Sequence, residues 1–182
     1  MAESVDVARL GPPEWALDEL ADYIVDRHHR YVQGAIPAVR ASLAAAVDRW
    51  GAAHGPVLVV QALFDELADE LESHMAKEEH LLFPAIRDLA RAKRRHVSSP
   101  PAPFATLMHP IRVMEDEHAR ANHLLADLRR ETGDYHAPAA ADEAGHECYR
   151  QLAAFDDDLQ VHIHLENDLL FPRALELERQ TA

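Results

Sequence analysis

One eleven-residue pattern occurs twice in this chain. His74-Met-Ala-Lys-Glu78-Glu-His-Leu81-Leu82-Phe83-Pro84 aligns without a gap on His162-Ile-His-Leu-Glu166-Asn-Asp-Leu169-Leu170-Phe171-Pro172, so that H-x-x-x-E-x-x-L-L-F-P recurs at an offset of 88 residues. Each copy continues an apolar stripe with helical steps of three and four: Phe64, Leu67, Leu71, His74, Glu78, Leu82 in one and Leu152, Phe155, Leu159, His162, Glu166, Leu170 in the other. Such stripes face inward between packed helices. Imidazole and carboxylate on that face must be paired, because an unpaired buried polar group is costly. A proline inside a helix costs ~3 kcal/mol, so the repeated Phe-Pro predicts a helix bend shared by the two copies.

The repeat extends upstream. His29 precedes His74 by 45 residues and His118 precedes His162 by 44. Each half therefore predicts a helical hairpin with one His on its first helix and His-x-x-x-Glu on its second. Helices are expected from the Gly11-Pro12-Pro13 start to about Trp50, from about Pro56 to Arg91, from about Pro110 to Glu131 and from about Pro138 to Glu178. Ser98-Ser99-Pro100-Pro101-Ala102-Pro103 is the clearest linker, and no segment reads as a strand. The expected fold is all-α: an antiparallel up-down four-helix bundle with a pseudo-twofold repeat of hairpins, spanning residues 16–182 after an extension at 1–15. Basic residues Arg91, Lys93, Arg94 and Arg95 fall at a predicted helix C-terminus, where cations complement the exposed carbonyls.

Residues i and i+4 lie about one turn apart, ~6 Å along the axis, on one helix face. A His and a Glu so spaced can reach one metal ion, or the Glu can bridge to a second. Four imidazoles (His29, His74, His118, His162) and two carboxylates (Glu78, Glu166) exceed what one tetrahedral zinc takes. Shared over two ions they give two nitrogens each, two carboxylate bridges and room for an oxo or hydroxo bridge. That donor set suits non-haem iron first and manganese next. The di-iron bundle proteins usually carry Glu-x-x-His; here the order is His-x-x-x-Glu. A single His–Glu pair on a helix is ordinarily a surface ion pair, and a single buried His an ordinary core residue. Two matched copies on apolar stripes, each with its upstream His, favour a dinuclear site.

His28 is the alternative to His29 on the first helix, and the half-repeat spacing favours His29. His80 and His164 fall on flanking faces, His123 lies about 140° round the helix from His118, and His54, His96, His109, His136 and His146 sit in connections or near helix ends. Cys148 reads as a small buried apolar side chain beside Glu147.

The remaining composition narrows the class. Thirty-two acidic against eighteen basic residues leave a net charge of −14, which opposes binding to phosphate backbones and anionic lipid. No apolar run approaches a bilayer span, and Met1-Ala2-Glu3 opens without a basic then apolar leader, so no membrane and no signal peptide are expected. One cysteine fits a reducing cytoplasm.

At these motifs the chain resembles the hemerythrin-like domain, and most closely that of the di-iron iron–sulfur cluster repair family. The residues that carry the resemblance are the His29 segment ending in Ile36-Pro37, Ser73-His-Met-Ala-Lys-Glu-Glu79 with Leu82-Phe-Pro84, Val113-Met-Glu-Asp-Glu-His118, and His162-Ile-His-Leu-Glu-Asn167 with Leu170-Phe-Pro-Arg-Ala-Leu175. It implies iron ligands at His29, His74, Glu78, His118, His162 and Glu166, and functional acids at Glu70 and Glu117. Oxygen-carrying hemerythrins have a His and an Asp where this chain has Asn122 and Asn167, which speaks against a reversible oxygen carrier. The family's N-terminal cysteine-bearing domain is not expected in this sequence, because only about fifteen residues precede the first predicted helix and none is cysteine. The implied role is defence against nitrosative and oxidative stress: iron donation in iron–sulfur cluster repair, with iron–sulfur proteins as acceptors, or nitric oxide reduction at the di-iron centre. A module that binds, stores or senses NO, O2 or metal without turnover is the alternative.

Overall fold

The computed structural model describes residues 15–51, 55–139 and 141–181. Among them are four long helical runs and no strand, as the two apolar stripes and their upstream partners predict. The first run is α1 (Leu17–Ile24), a π-helical turn (Val25–His29) and α2 (Arg30–Trp50). The second is α3 (Pro56–Lys77), a π turn (Glu78–Leu82) and α4 (Phe83–Arg95). The third is a single helix, α5 (Met108–Thr132). The fourth is α6 (Glu143–His164), a π turn (Leu165–Leu170) and α7 (Phe171–Thr181).

Helix ends follow local chemistry. The Glu19 carboxylate accepts the Ala16 N–H at 3.1 Å as α1 opens; the predicted Gly11-Pro12-Pro13 start and the extension before residue 15 lie outside the described residues, as does His54. α4 runs on to Arg95, four residues past the expected Arg91, and closes on His96 in the left-handed conformation (φ 56°). The fourth run begins at Glu143 and not near Pro138, because Asp142 caps it: its carboxylate accepts the Gly145 N–H at 3.0 Å and its carbonyl the His146 N–H at 3.0 Å.

The repeated Phe-Pro coincides with the π turns of the second and fourth runs. A π turn closes i→i−5 hydrogen bonds: the Phe83 N–H reaches the Glu78 carbonyl and the Phe171 N–H the Glu166 carbonyl. Proline directly afterwards cannot donate, and its ring would clash with the carbonyl four residues back in a regular helix. The widened turn accommodates it. In both copies that turn carries the acidic residue of the motif.

The chain packs as two compact units whose boundaries fall inside helical runs. One comprises the described residues up to Arg30 with His74–Asp116 and those from Gln160 on. Its helices run antiparallel. Asp18 meets Arg94 through two hydrogen bonds of 2.6 Å and Asp22 meets Arg87 at 2.7 Å. Arg173 donates to the Trp15 carbonyl at 2.5 Å, and the Thr106 hydroxyl and Leu107 N–H both donate to Glu178 at 2.8 Å. Leu20, Ile24, Phe83, Ile86, Leu165 and Phe171 fill its core.

The other unit is Tyr31–Ser73 with Glu117–Leu159. Phe64 and Phe155 meet edge to face at 5.1 Å in its core. Arg40 pairs with Asp65 and Asp69, Ser42 donates to Gln151 at 2.8 Å, and Arg49 pairs with Asp142. Asp156, almost fully buried, accepts from Arg129 at 2.5 Å and from the Tyr135 hydroxyl at 2.6 Å.

Candidate metal centre

Five of the six residues singled out as ligands belong to one unit, and all six are buried to within 2% of full enclosure. The polar atoms converge. His29 Nε2 stands 3.3 Å from His162 Nε2, 3.4 Å from Glu78 Oε2 and 3.9 Å from Glu166 Oε1. His162 Nε2 is 3.0 Å from Glu166 Oε1, and His74 Nε2 is 3.3 Å from Glu78 Oε2. One ligand atom from each of His29, Glu78, His162 and Glu166 falls within a mutual spread of 4.8 Å, and those of His74, Glu78 and Glu166 do likewise. The sixth residue, His118, is buried on α5 one turn beyond Met114, in the other unit.

The electrostatics suit a bound cation. Both Glu78 oxygens are enclosed without a hydrogen bond, since the nearest imidazole nitrogens stand beyond good hydrogen-bonding range. Burial and the nearby Glu166 oppose the Glu78 charge, but His74 and His29 outweigh them and hold its pKa below the usual carboxylate value. Burial likewise opposes charge on His29, yet the carboxylates of Glu166 and Glu78 push it up to about 10. Burial depresses His162. The His29 imidazole thus favours its charged form beside the two carboxylates. A divalent ion bound by neutral imidazoles and these two anions would satisfy the same atoms better. Nitrogen and carboxylate donors without thiolate fit iron or another transition metal of similar taste.

The two adjacent histidines of the first run part company. His29 turns Nε2 into the cluster, while His28, also buried, lays its ring along that of His162 with centroids 6.0 Å apart and planes 16° from parallel. His80 and His123 are exposed, and His164 pairs with Asp168 at 2.5 Å, half-buried.

Glu79 is a functional candidate that the sequence reading missed. Its carboxylate lies 2.9 Å from His29 Nδ1, the ring nitrogen facing away from the cluster. A carboxylate there fixes the tautomer that leaves Nε2 free to bind a cation. The only sequence signal is its place beside Glu78, since its partner lies 50 residues away and the second copy of the repeat has Asn167 at the same position.

Glu70 and Glu117, the two acids implied by resemblance, share one cation. Arg120 Nε is 3.8 Å from Glu70 and its Nη2 is 3.8 Å from Glu117. Glu70 is 37% exposed at its side chain and Glu117 14%, so both are reachable by water. Glu70 lies one turn before His74 on α3, and Glu117 directly precedes His118 on α5.

Comparison with known proteins agrees with this geometry. Residues 20–174 match the family described as Hemerythrin HHE cation binding domain. The chain is 36% identical over 161 residues to the iron-sulfur cluster repair protein YtfE of Edwardsiella ictaluri, covering 87% of this chain and 66% of that protein. It is 35% identical over 161 residues to YtfE of an Enterobacter species, covering 88% and 67%. To the iron-sulfur cluster repair protein DnrN of Neisseria gonorrhoeae it is 36% identical over 118 residues, covering 64% and 66%. The chain thus spans about two thirds of the length of the curated relatives it matches.

Proposed function

We propose, from the premise that the chain belongs to the hemerythrin HHE cation-binding family, that it holds two non-haem iron ions and uses them in iron–sulfur cluster repair under nitrosative and oxidative stress. The observation that carries this reading is the convergence of two enclosed carboxylates, Glu78 and Glu166, with imidazole Nε2 atoms at 3.0–3.9 Å. His29, His162 and the two carboxylates form one ligand set. His74 with the same carboxylates would form the other, with His118 as its further expected ligand; Glu78 and Glu166 would serve both sets.

The ions, when bound, supply electrons and open coordination positions for a small gas such as NO or O2. The chain's residues set the conditions. Glu79 orients His29. Phe83, whose ring lies 5.6 Å from that of His29, and the apolar core of the same unit (Leu82, Leu165, Leu170) keep bulk water out. Glu70 and Glu117, with Arg120 between them and open to water, are the acids that would exchange protons beside the helical turns that carry His74 and His118. Two outputs are compatible with this arrangement. One is iron release to iron–sulfur proteins, which the relatives' names favour; the other is reduction of nitric oxide.

Anaerobic ferrous-loaded protein separates them. Iron transfer to an apo iron–sulfur acceptor, with no nitrous oxide on exposure to NO, supports the donor role. Nitrous oxide formation that falls in Glu70→Gln and Glu117→Gln, with iron content intact, supports the reductase role. Stable gas binding with neither output would overturn both and leave a binding module.

A further inference from the structure

A line of aromatic rings runs from the edge of the first unit to its buried histidines. Trp15, half-buried, meets Tyr23 edge to face with centroids 4.9 Å apart. Tyr23, also half-buried, meets His28 at 5.7 Å, and His28 stacks on His162 at 6.0 Å. Each spacing lies in the contact range of interacting rings. The helix is distorted to make this line. Residues five apart sit about 140° apart round a regular α-helix, so Tyr23 and His28 would face different sides. The π turn Val25–His29 widens the helix there and brings the two rings together. Unlike the other two π turns, it has no proline just after it; the next one in the run is Pro37. The proline argument therefore does not account for it.

We infer that Trp15, Tyr23 and His28 form an electron relay through which the buried centre exchanges single electrons with radicals at the protein surface. Tunnelling weakens steeply with distance, so short steps between oxidisable rings outpace one long one. Indole and phenol are the side chains able to take part as oxidised intermediates, and the His28 ring bridges the last gap. The step balances as follows. A one-electron oxidant of the nitrogen-oxide or carbonate radical class takes one electron from the Trp15 indole. Tyr23 returns an electron to Trp15 and gives its phenolic proton to solvent, leaving a neutral phenoxyl radical. Iron held at His162, if ferrous, would supply one electron through His28 and become ferric as the phenoxyl regains a proton from solvent. Only this last stage rests on the metal assignment made above.

Pulse radiolysis of the full chain with azide radical tests each stage, in a Trp50→Phe background that leaves Trp15 as the sole indole. In metal-free protein the tryptophanyl radical is expected to convert to a tyrosyl radical in a first-order phase independent of protein concentration. That phase should be lost in Tyr23→Phe, which keeps the ring. A tryptophanyl radical with no such phase, or a phase unchanged by Tyr23→Phe, overturns the relay. In ferrous-loaded protein the tyrosyl lifetime should shorten, with one ferric equivalent formed per radical. In His28→Leu of equal iron content the lifetime should return to the metal-free value; an unchanged short lifetime overturns the role of His28. Failure to take up iron while the first conversion persists contradicts the metal assignment and the relay's last stage, and leaves the Trp15–Tyr23 step standing.

Discussion

At the scale of single residues, the centre depends on carboxylates that the fold encloses and on the group that aims one imidazole. Mutating a residue that orients a metal-bound histidine typically costs 10–100-fold in metal affinity. Glu79→Gln is therefore expected to weaken ferrous binding by about ten- to a hundredfold in an equilibrium titration, with helicity unchanged. The burial and convergence of His74, Glu78, His162 and Glu166 were legible from sequence because this His–Glu pair breaks an apolar stripe in both copies of the repeat. Glu79 was not, because nothing in local spacing ties it to a histidine 50 residues away. Two other residues allow independent checks. Cys148 is enclosed, and burial followed by the nearby Glu147 pushes its pKa up to about 11; a thiol reagent at pH 8 should label it only after unfolding. Asp18 has its carboxyl pKa lowered by its hydrogen bonds to Arg94, against the cost of burial. A depressed acid contributes stability above its unfolded value of 3.8 and loses it as pH falls through the folded one. The Tm difference between wild type and Asp18→Asn should thus be largest near neutrality and shrink toward pH 3.

At the scale of elements, the helices were legible from periodicity and their irregularities only in part. Phe-Pro signals a bend, and the structure shows a widened turn that begins at Glu78 in the first copy and at Leu165, one residue before Glu166, in the second. The turn at Val25–His29 has no sequence signature of that kind. The start of the fourth run was misjudged because Pro138 suggested a first turn, whereas the capping carboxylate of Asp142 sets it. Pro84→Ala restores an N–H and lets the helix return to α register, which would turn the Glu78 carbonyl and side chain. The expected outcome is weaker metal binding with no loss of helicity, read by titration and circular dichroism. Gly145 shows an element contact that needs its residue type: a Cβ there would overlap the Trp50 ring. Gly145→Ala should cost about 1–3 kcal/mol, as overpacking generally does, and shift Trp50 fluorescence.

At the scale of the whole molecule, what the chain folds around and what it binds are linked. A ligand that binds only the native state stabilises it by mass action. Ferrous iron should therefore raise Tm in wild type and not in His74→Ala, so the gain reads occupancy without any assay of turnover. The net charge is −14, and no helix among the described residues is long and apolar enough to cross a membrane. The fold class and the family were legible in the sequence because one repeat specifies both the helical faces and the polar groups on them. The reaction was not, since iron release and gas reduction make the same demands on ligand spacing and differ in what reaches the centre from outside.

The most direct test of the central claim is metal content per chain, measured with the visible absorption spectrum, after anaerobic reconstitution with ferrous iron and brief exposure to air. Two irons per chain with oxo-bridged charge-transfer bands, both lost in His74→Ala and Glu166→Ala variants that remain helical, are the predicted result. A chain that takes up no iron, or that binds it equally well without His74 and Glu166, would contradict the account.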